Sequence, residues 1–248
     1  RNSMLRGTCE RRLAVTATEY TPLRRYEVPH VPVFQHEIGK WRPSWRGRIH
    51  GVAVAATIPA GVILTMVTPN GLARWAVLIY VCSLLALFST SASYHLLTRS
   101  QRAQRTMRQL DHAMIYVLIA GTYTPVCLLA LPRHIGIPFL ITIWVAACVG
   151  IALKMTWRAH KTSGAMYLII GWAALIVLPW SYRVTGFVSF LLFALGGIVF
   201  TVGAILFYFK RPQLKPTVFG YHEVWHVFTV VAVALQFAGV GVLIAKVA

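Results

Sequence analysis

The sequence predicts an all-α integral membrane protein, a bundle of seven transmembrane helices with its amino terminus in the cytoplasm. Three observations predict it. The chain is 57% hydrophobic with a mean hydropathy of +0.65, more apolar than an ordinary soluble domain. Its apolar residues gather into seven runs, each near the roughly 20 helical residues that cross a bilayer. Its cations alternate between the two sets of junctions that flank those runs.

The amino-terminal segment, residues 1–48, is polar and carries ten of the 24 Lys and Arg residues and four of the six acidic ones. Pro22, Pro29, Pro32 and Pro43 discourage a continuous helix. It reads as a basic cytoplasmic tail, flexible or membrane-associated, whose cations can touch anionic headgroups. It is too long and too polar for a cleavable signal, and Met4 is a candidate start residue. Residues 49–248 form the membrane domain.

The spans are expected at 49–68, 73–97, 110–131, 135–155, 165–182, 186–209 and 222–245. Backbone polar groups must be satisfied inside lipid, so runs of this length are helices. The absence of alternating polarity argues against a barrel. Connections are short, so neighbouring helices pack antiparallel. In span three the stretch "AGTYTP" places Pro125 where it would bend or locally open the helix, unless neighbouring polar groups accommodate it. Gly196, Gly197 and Gly203 in span six suit close helix approach.

Arg99, Arg102, Arg105 and Arg108 follow span two, Lys154, Arg158 and Lys161 follow span four, and Lys210, Arg211 and Lys215 follow span six. With the tail, these are 20 cations on one side; Arg74, Arg133, Arg183 and Lys246 are the 4 on the other. Cations stay cytoplasmic, which puts the amino end inside and the carboxyl end outside a cell membrane. The net charge of +18 therefore reports topology and excludes a nucleic-acid partner. Cys82, Cys127 and Cys148 lie in spans and Cys9 in the tail, without ligand spacing, and read as reduced thiols.

Beyond Glu37 the chain holds two acidic residues, Asp111 and Glu223. Ionisable groups at membrane depth are costly, and by default mark function. Asp111 begins span three, Glu223 begins span seven, and span two ends with "STSASYHLL", which carries Ser91 and His95. The charge count places all of these, with His222 and His226, at the cytoplasmic face. His222 and His226 are one helical turn apart and can share one ion; His95 can supply a third nitrogen, as in catalytic zinc sites. Asp111 can then handle the proton of an activated water, and Ser91, one turn before His95, can hydrogen-bond that water or an oxyanion.

Each residue also has a plainer reading. Asp111 can cap a helix, His95 can reach the interface, and His222 with His226 can be a coincidence of spacing. His112 should point about 100° away from Asp111. His30, His36, His50, His134 and His160 read as solvated. The letters "HEVWH" also match the H-E-x-x-H pattern of zinc proteases, but no third-ligand signature of such a protease is present. Glu223 can instead favour the helix N-terminus or pair with a cytoplasmic lysine.

The stretch "SASYHLLTRSQRAQRTMRQLDHAMIYVLIAGTYTP" together with "FGYHEVWHVF" resembles the hemolysin III proteins, bacterial members of the progestin and adipoQ receptor family. The resemblance rests on S-x-x-x-H at Ser91 and His95, "LDH" with Asp111, and H-x-x-x-H at His222 and His226. It covers the seven spans and leaves out the tail. It implies seven helices, a cytoplasmic amino terminus, and zinc held by His95, His222 and His226 with Asp111 nearby. It also implies a lipid hydrolase, akin to alkaline ceramidases. In that pattern the residue after the first paired histidine is not a fixed glutamate, which leaves the protease match accidental.

The expected function is zinc-dependent hydrolysis of an amide or ester in a lipid-like substrate, with catalytic Asp111 and Ser91 and membrane lipids as surroundings. Two other readings are a receptor or regulatory membrane protein with structural zinc, and a cytolysin of the kind the family name suggests.

Overall fold

Apolar runs bounded by short polar connections fold as helices, and a computed structural model shows them. It describes residues 36–37, 40–41, 43–155, 163–215 and 217–247; the rest of the tail, with Cys9 and His30, and His160 lie outside the described residues. A two-residue antiparallel pair, β1 (His36–Glu37) and β2 (Lys40–Trp41), precedes the helices, with His36 opposite Trp41. The helices are α1 (Arg48–Val67), α2 (Leu72–Leu97), α3 (Gln101–Leu129), α4 (Arg133–Met155), α5 (Ser163–Trp172), α6 (Ala174–Tyr208) and α7 (Tyr221–Val247).

Among the described residues, six helical runs are long and apolar enough to cross a membrane. The fifth, Met166–Tyr208, is 43 residues long, about twice the crossing length, and takes in both expected spans, 165–182 and 186–209, to within one residue at each outer end. Gly186 (φ 77°, ψ −174°) interrupts its helix. That positive φ is one glycine adopts without steric cost.

Span three begins earlier than its hydropathy indicated. The expected loop around Arg102, Arg105 and Arg108 is helical, and Ser100 caps it by accepting a hydrogen bond from Ala103 N at 3.2 Å. At 29 residues α3 is roughly 43 Å long, so its apolar part fits a bilayer core and its basic first turns extend past it. Asp111 accordingly lies three turns inside α3 and is not an N-cap. The helix also runs unbroken through Pro125. Thr124 Oγ1 donates back to Ala120 O at 2.9 Å, and Trp144 Nε1 donates to Thr124 Oγ1 at 3.3 Å.

Short connections pack α1 on α2, α2 on α3 and α3 on α4, while α6 packs on α7 and α7 returns to α1 and α3. Two apolar clusters meet on α3. One joins Val77, Tyr80, Phe88 and Leu118 with Val233 and Val240; the other joins Tyr116, Tyr123 and Ile143 with Val177 and Leu243. The outer surface is apolar as well: Ile63, Trp75, Ile141, Leu175 and Phe187 are exposed. Many polar side chains are buried instead, among them His50, Ser91, His95, Glu223 and His226. Apolar residues outside and polar ones within describe a protein solvated by lipid. The three described cysteines are free.

Candidate metal centre

The C-terminal turns of α2 put Ser91 and His95 four residues apart, hence on one helical face, and both are buried. The first turns of α7 do the same for His222 and His226. The two helices bring three imidazoles together. Their ring centroids lie 4.9 Å (His95 to His222), 5.0 Å (His95 to His226) and 4.8 Å (His222 to His226) apart. One ligand nitrogen from each lies within 4.8 Å of the other two.

The triangle can be tested against a tetrahedral ion. Metal–nitrogen bonds of about 2.0–2.1 Å put each ring centroid about 3.2 Å from the ion and the centroids about 5.2 Å from one another. The observed sides are a few tenths of an ångström shorter. His226 is buried, and its Nδ1 has no hydrogen-bond partner among the described residues. A buried imidazole nitrogen in that state is costly unless something else satisfies it. The three residues fit a metal ion.

Asp111 reaches this group through Ser91. The Ser91 hydroxyl is within interaction range of the Asp111 carboxyl, which sets that half-buried group of α3 beside the face of α2 that carries His95. Around the rings stand aromatic walls: Tyr94 lies 4.5 Å from His95 and Phe207 lies 5.3 Å from His222, centroid to centroid. His112 turns to its own helix, with Nδ1 2.6 Å from Arg108 O. His134 is exposed in the first turn of α4, in keeping with its reading as solvated.

Glu223 is not directed to the histidine cluster. Its carboxylate is fully buried, accepts from Arg46 Nε at 2.7 Å and from Gly220 N at 2.8 Å. The partner is an arginine just ahead of the first helix, not a lysine. Both carboxylate oxygens are engaged in holding the start of α7, so the protease match has no structural counterpart.

The largest departure concerns His50. Read as solvated, it is buried and stacks on His226 with centroids 4.0 Å apart and planes within 5° of parallel. Its signal was available: it occupies the start of α1, at the same end of the bundle as the other histidines. The last residues of the expected tail also join this end, where Trp45 N donates to Val218 O at 3.4 Å.

The chain is similar to known proteins. A family model described as "Haemolysin-III related" matches residues 39–237. A "Hemolysin-3 homolog" of Bacillus subtilis (strain 168) is 33% identical over 193 residues, 76% of this chain and 87% of the relative. "Hemolysin-3" of Bacillus cereus is 33% identical over 194 residues, 76% of this chain and 85% of the relative. A rice protein, "Heptahelical transmembrane protein ADIPOR2" of Oryza sativa subsp. japonica, is similar at 24% identity over 194 residues, 71% of this chain and 84% of its own length. Its similarity links the chain to the progestin and adipoQ receptor family.

Proposed function

The chain belongs to the haemolysin-III related family, and from that premise we propose that it is a zinc-dependent hydrolase of a lipid-like amide or ester in the cell membrane. The near-equilateral histidine triangle carries the reading, because three neutral nitrogens around one point suit zinc and leave a tetrahedral ion a position for water. Bound there, zinc would act as a Lewis acid and bring the pKa of a water to about 7.

The remaining work falls to the protein. Asp111 accepts the proton of the attacking water and returns it to the leaving nitrogen or oxygen. Ser91 has a single O–H. While it donates to Asp111 it cannot also donate to an oxyanion, so its role is to orient the carboxyl. The aromatic walls of Tyr94 and Phe207 limit bulk water around the rings. A substrate dissolved in the bilayer reaches the site laterally, with its polar group at the interface.

The same proposal assigns seven crossings, the fifth and sixth divided at Gly186, with the amino terminus and the histidine cluster on the cytoplasmic side. Cation asymmetry along the sequence supports that orientation. The reading is tested by metal analysis of purified protein and by hydrolysis of lipid amides and esters before and after chelation. Bound zinc, with activity lost on chelation and regained on adding zinc, is the expected result. Hydrolysis indifferent to both treatments rejects it.

A further inference from the structure

The stretch Arg46–His50, Arg-Gly-Arg-Ile-His, touches both helices that carry the three histidines, and it does so at three separate points. Arg46 Nε pairs with Glu223 at 2.7 Å, the residue beside His222. Gly47 packs directly against His95: a Cβ at this position would stand 2.7 Å from His95 Cβ and 3.0 Å from Leu96 Cγ, and its φ of +86° is itself unfavourable for a side chain. His50 lies flat on His226, centroids 4.0 Å apart, with Phe88 of α2 5.1 Å away on a tilted plane.

His50 is placed wrongly to be a fourth ligand. The lone pairs of an imidazole lie in its own plane, so an ion bound by His226 lies in the plane of the His226 ring. The His50 plane is parallel to that plane and displaced from it, with the centroids 4.0 Å apart and the planes within 5°. In-plane lone pairs of His50 therefore pass the ion by. What the ring can do is fix the tilt of His226 by lying flat against its face.

We propose that Arg46–His50 is a positioning strap for the three-histidine centre, in which His50 orients His226 by stacking, Gly47 seats His95, and Arg46 anchors α7 beside His222. The proposal rests on the reading of those histidines as metal ligands. The strap raises metal affinity by holding the ligands in place before the ion arrives, the task usually performed by hydrogen bonds to ligand imidazoles. Because it contributes no donor atom, it leaves the protein ligands at three.

The test compares His50→Leu, which keeps apolar volume without a flat face, with His50→Phe, which keeps the flat face without nitrogens. Zinc affinity is measured against a chromophoric chelator, and the visible spectrum of the Co2+-loaded protein reports ligand geometry. Thermal unfolding of the metal-free proteins is recorded alongside. His50→Leu is expected to weaken zinc binding about 10–100-fold and to shift the cobalt bands, with His50→Phe restoring both. Wild-type affinity and spectrum in His50→Leu, or an equal loss in His50→Phe, overturns the strap. If His50→Leu does not fold, Gly47→Ala serves: a displaced His95 must alter the cobalt spectrum, and an unaltered one overturns the proposal. A wild-type chain that binds no metal removes both this proposal and the function it rests on. A chain that binds metal without hydrolysing lipids removes only the hydrolase.

Discussion

Arg46 and Glu223, 177 positions apart in the chain, form a 2.7 Å ion pair that ties the residues before α1 to the first turn of α7. The glutamate is fully buried and the arginine partly so. Removing one partner of such a pair strands the other, at a cost of about 3 kcal/mol. Glu223→Ala should destabilise the protein by that margin, read as a lowered thermal midpoint in detergent, and Glu223→Gln by less, since its amide oxygen still accepts from Gly220 N or Arg46. In Glu223→Gln, zinc content and hydrolysis should survive. A variant with normal stability and no turnover would instead return Glu223 to the protease role.

The three histidines contribute equally to the triangle, so they should fail equally. His95→Ala, His222→Ala and His226→Ala are each expected to weaken zinc binding by more than about 100-fold, beyond the usual effect of losing a supporting group. Equilibrium dialysis with metal analysis measures this. Retention of stoichiometric zinc by any one of them would take that residue out of the ligand set.

Ser91 and Asp111 act on one carboxyl group, and the pair predicts unequal losses. Asp111→Asn should keep zinc but lower the hydrolysis rate by about 10²–10⁴, the usual contribution of a proton-transferring group. Ser91→Ala removes one hydrogen bond to a charged group, worth about 1.5–3 kcal/mol, and so about 10–100-fold in rate. The double variant should be no worse than Asp111→Asn alone, because Ser91 works through Asp111. Multiplying losses would mean that Ser91 touches substrate independently.

Much of this arrangement was legible along the chain. Spans one, two, four and seven start and stop within two residues of their apolar runs, because lipid rewards apolar residues at the positions where helices must run. The start of α3 was not, because hydropathy marks the part of a helix in lipid and is silent about basic turns beyond it. The local signal was Ser100, a capping residue followed by good helix formers. Candidate ligands were visible from their depth and i,i+4 spacing. His50 stands at the same depth, but its partner His226 is on the last helix, and no local pattern announces a stack between residues 176 positions apart. Arg46 and Glu223 were hidden in the same way: each looked like an ordinary terminal charge until the fold closed α1 onto α7.

Gly186 interrupts the long Met166–Tyr208 run, and a single substitution there has opposite signs in an interrupted and in a continuous helix. Inside a continuous helix, Gly→Ala is stabilising by about 1 kcal/mol, because alanine surrenders less backbone freedom. At φ 77° an alanine is strained, and the change is expected to destabilise by about that amount or more. Gly186→Ala should therefore lower the thermal midpoint. The proposed division into two crossings would also place the flanking residues on opposite sides. In a cysteine-free background, Arg183→Cys should react with an impermeant thiol reagent added outside intact cells. Gln213→Cys should react only after the membrane is opened. A stabilised Gly186→Ala would mean a continuous helix at this point, and labelling of both cysteines from one side would leave six crossings in place of seven.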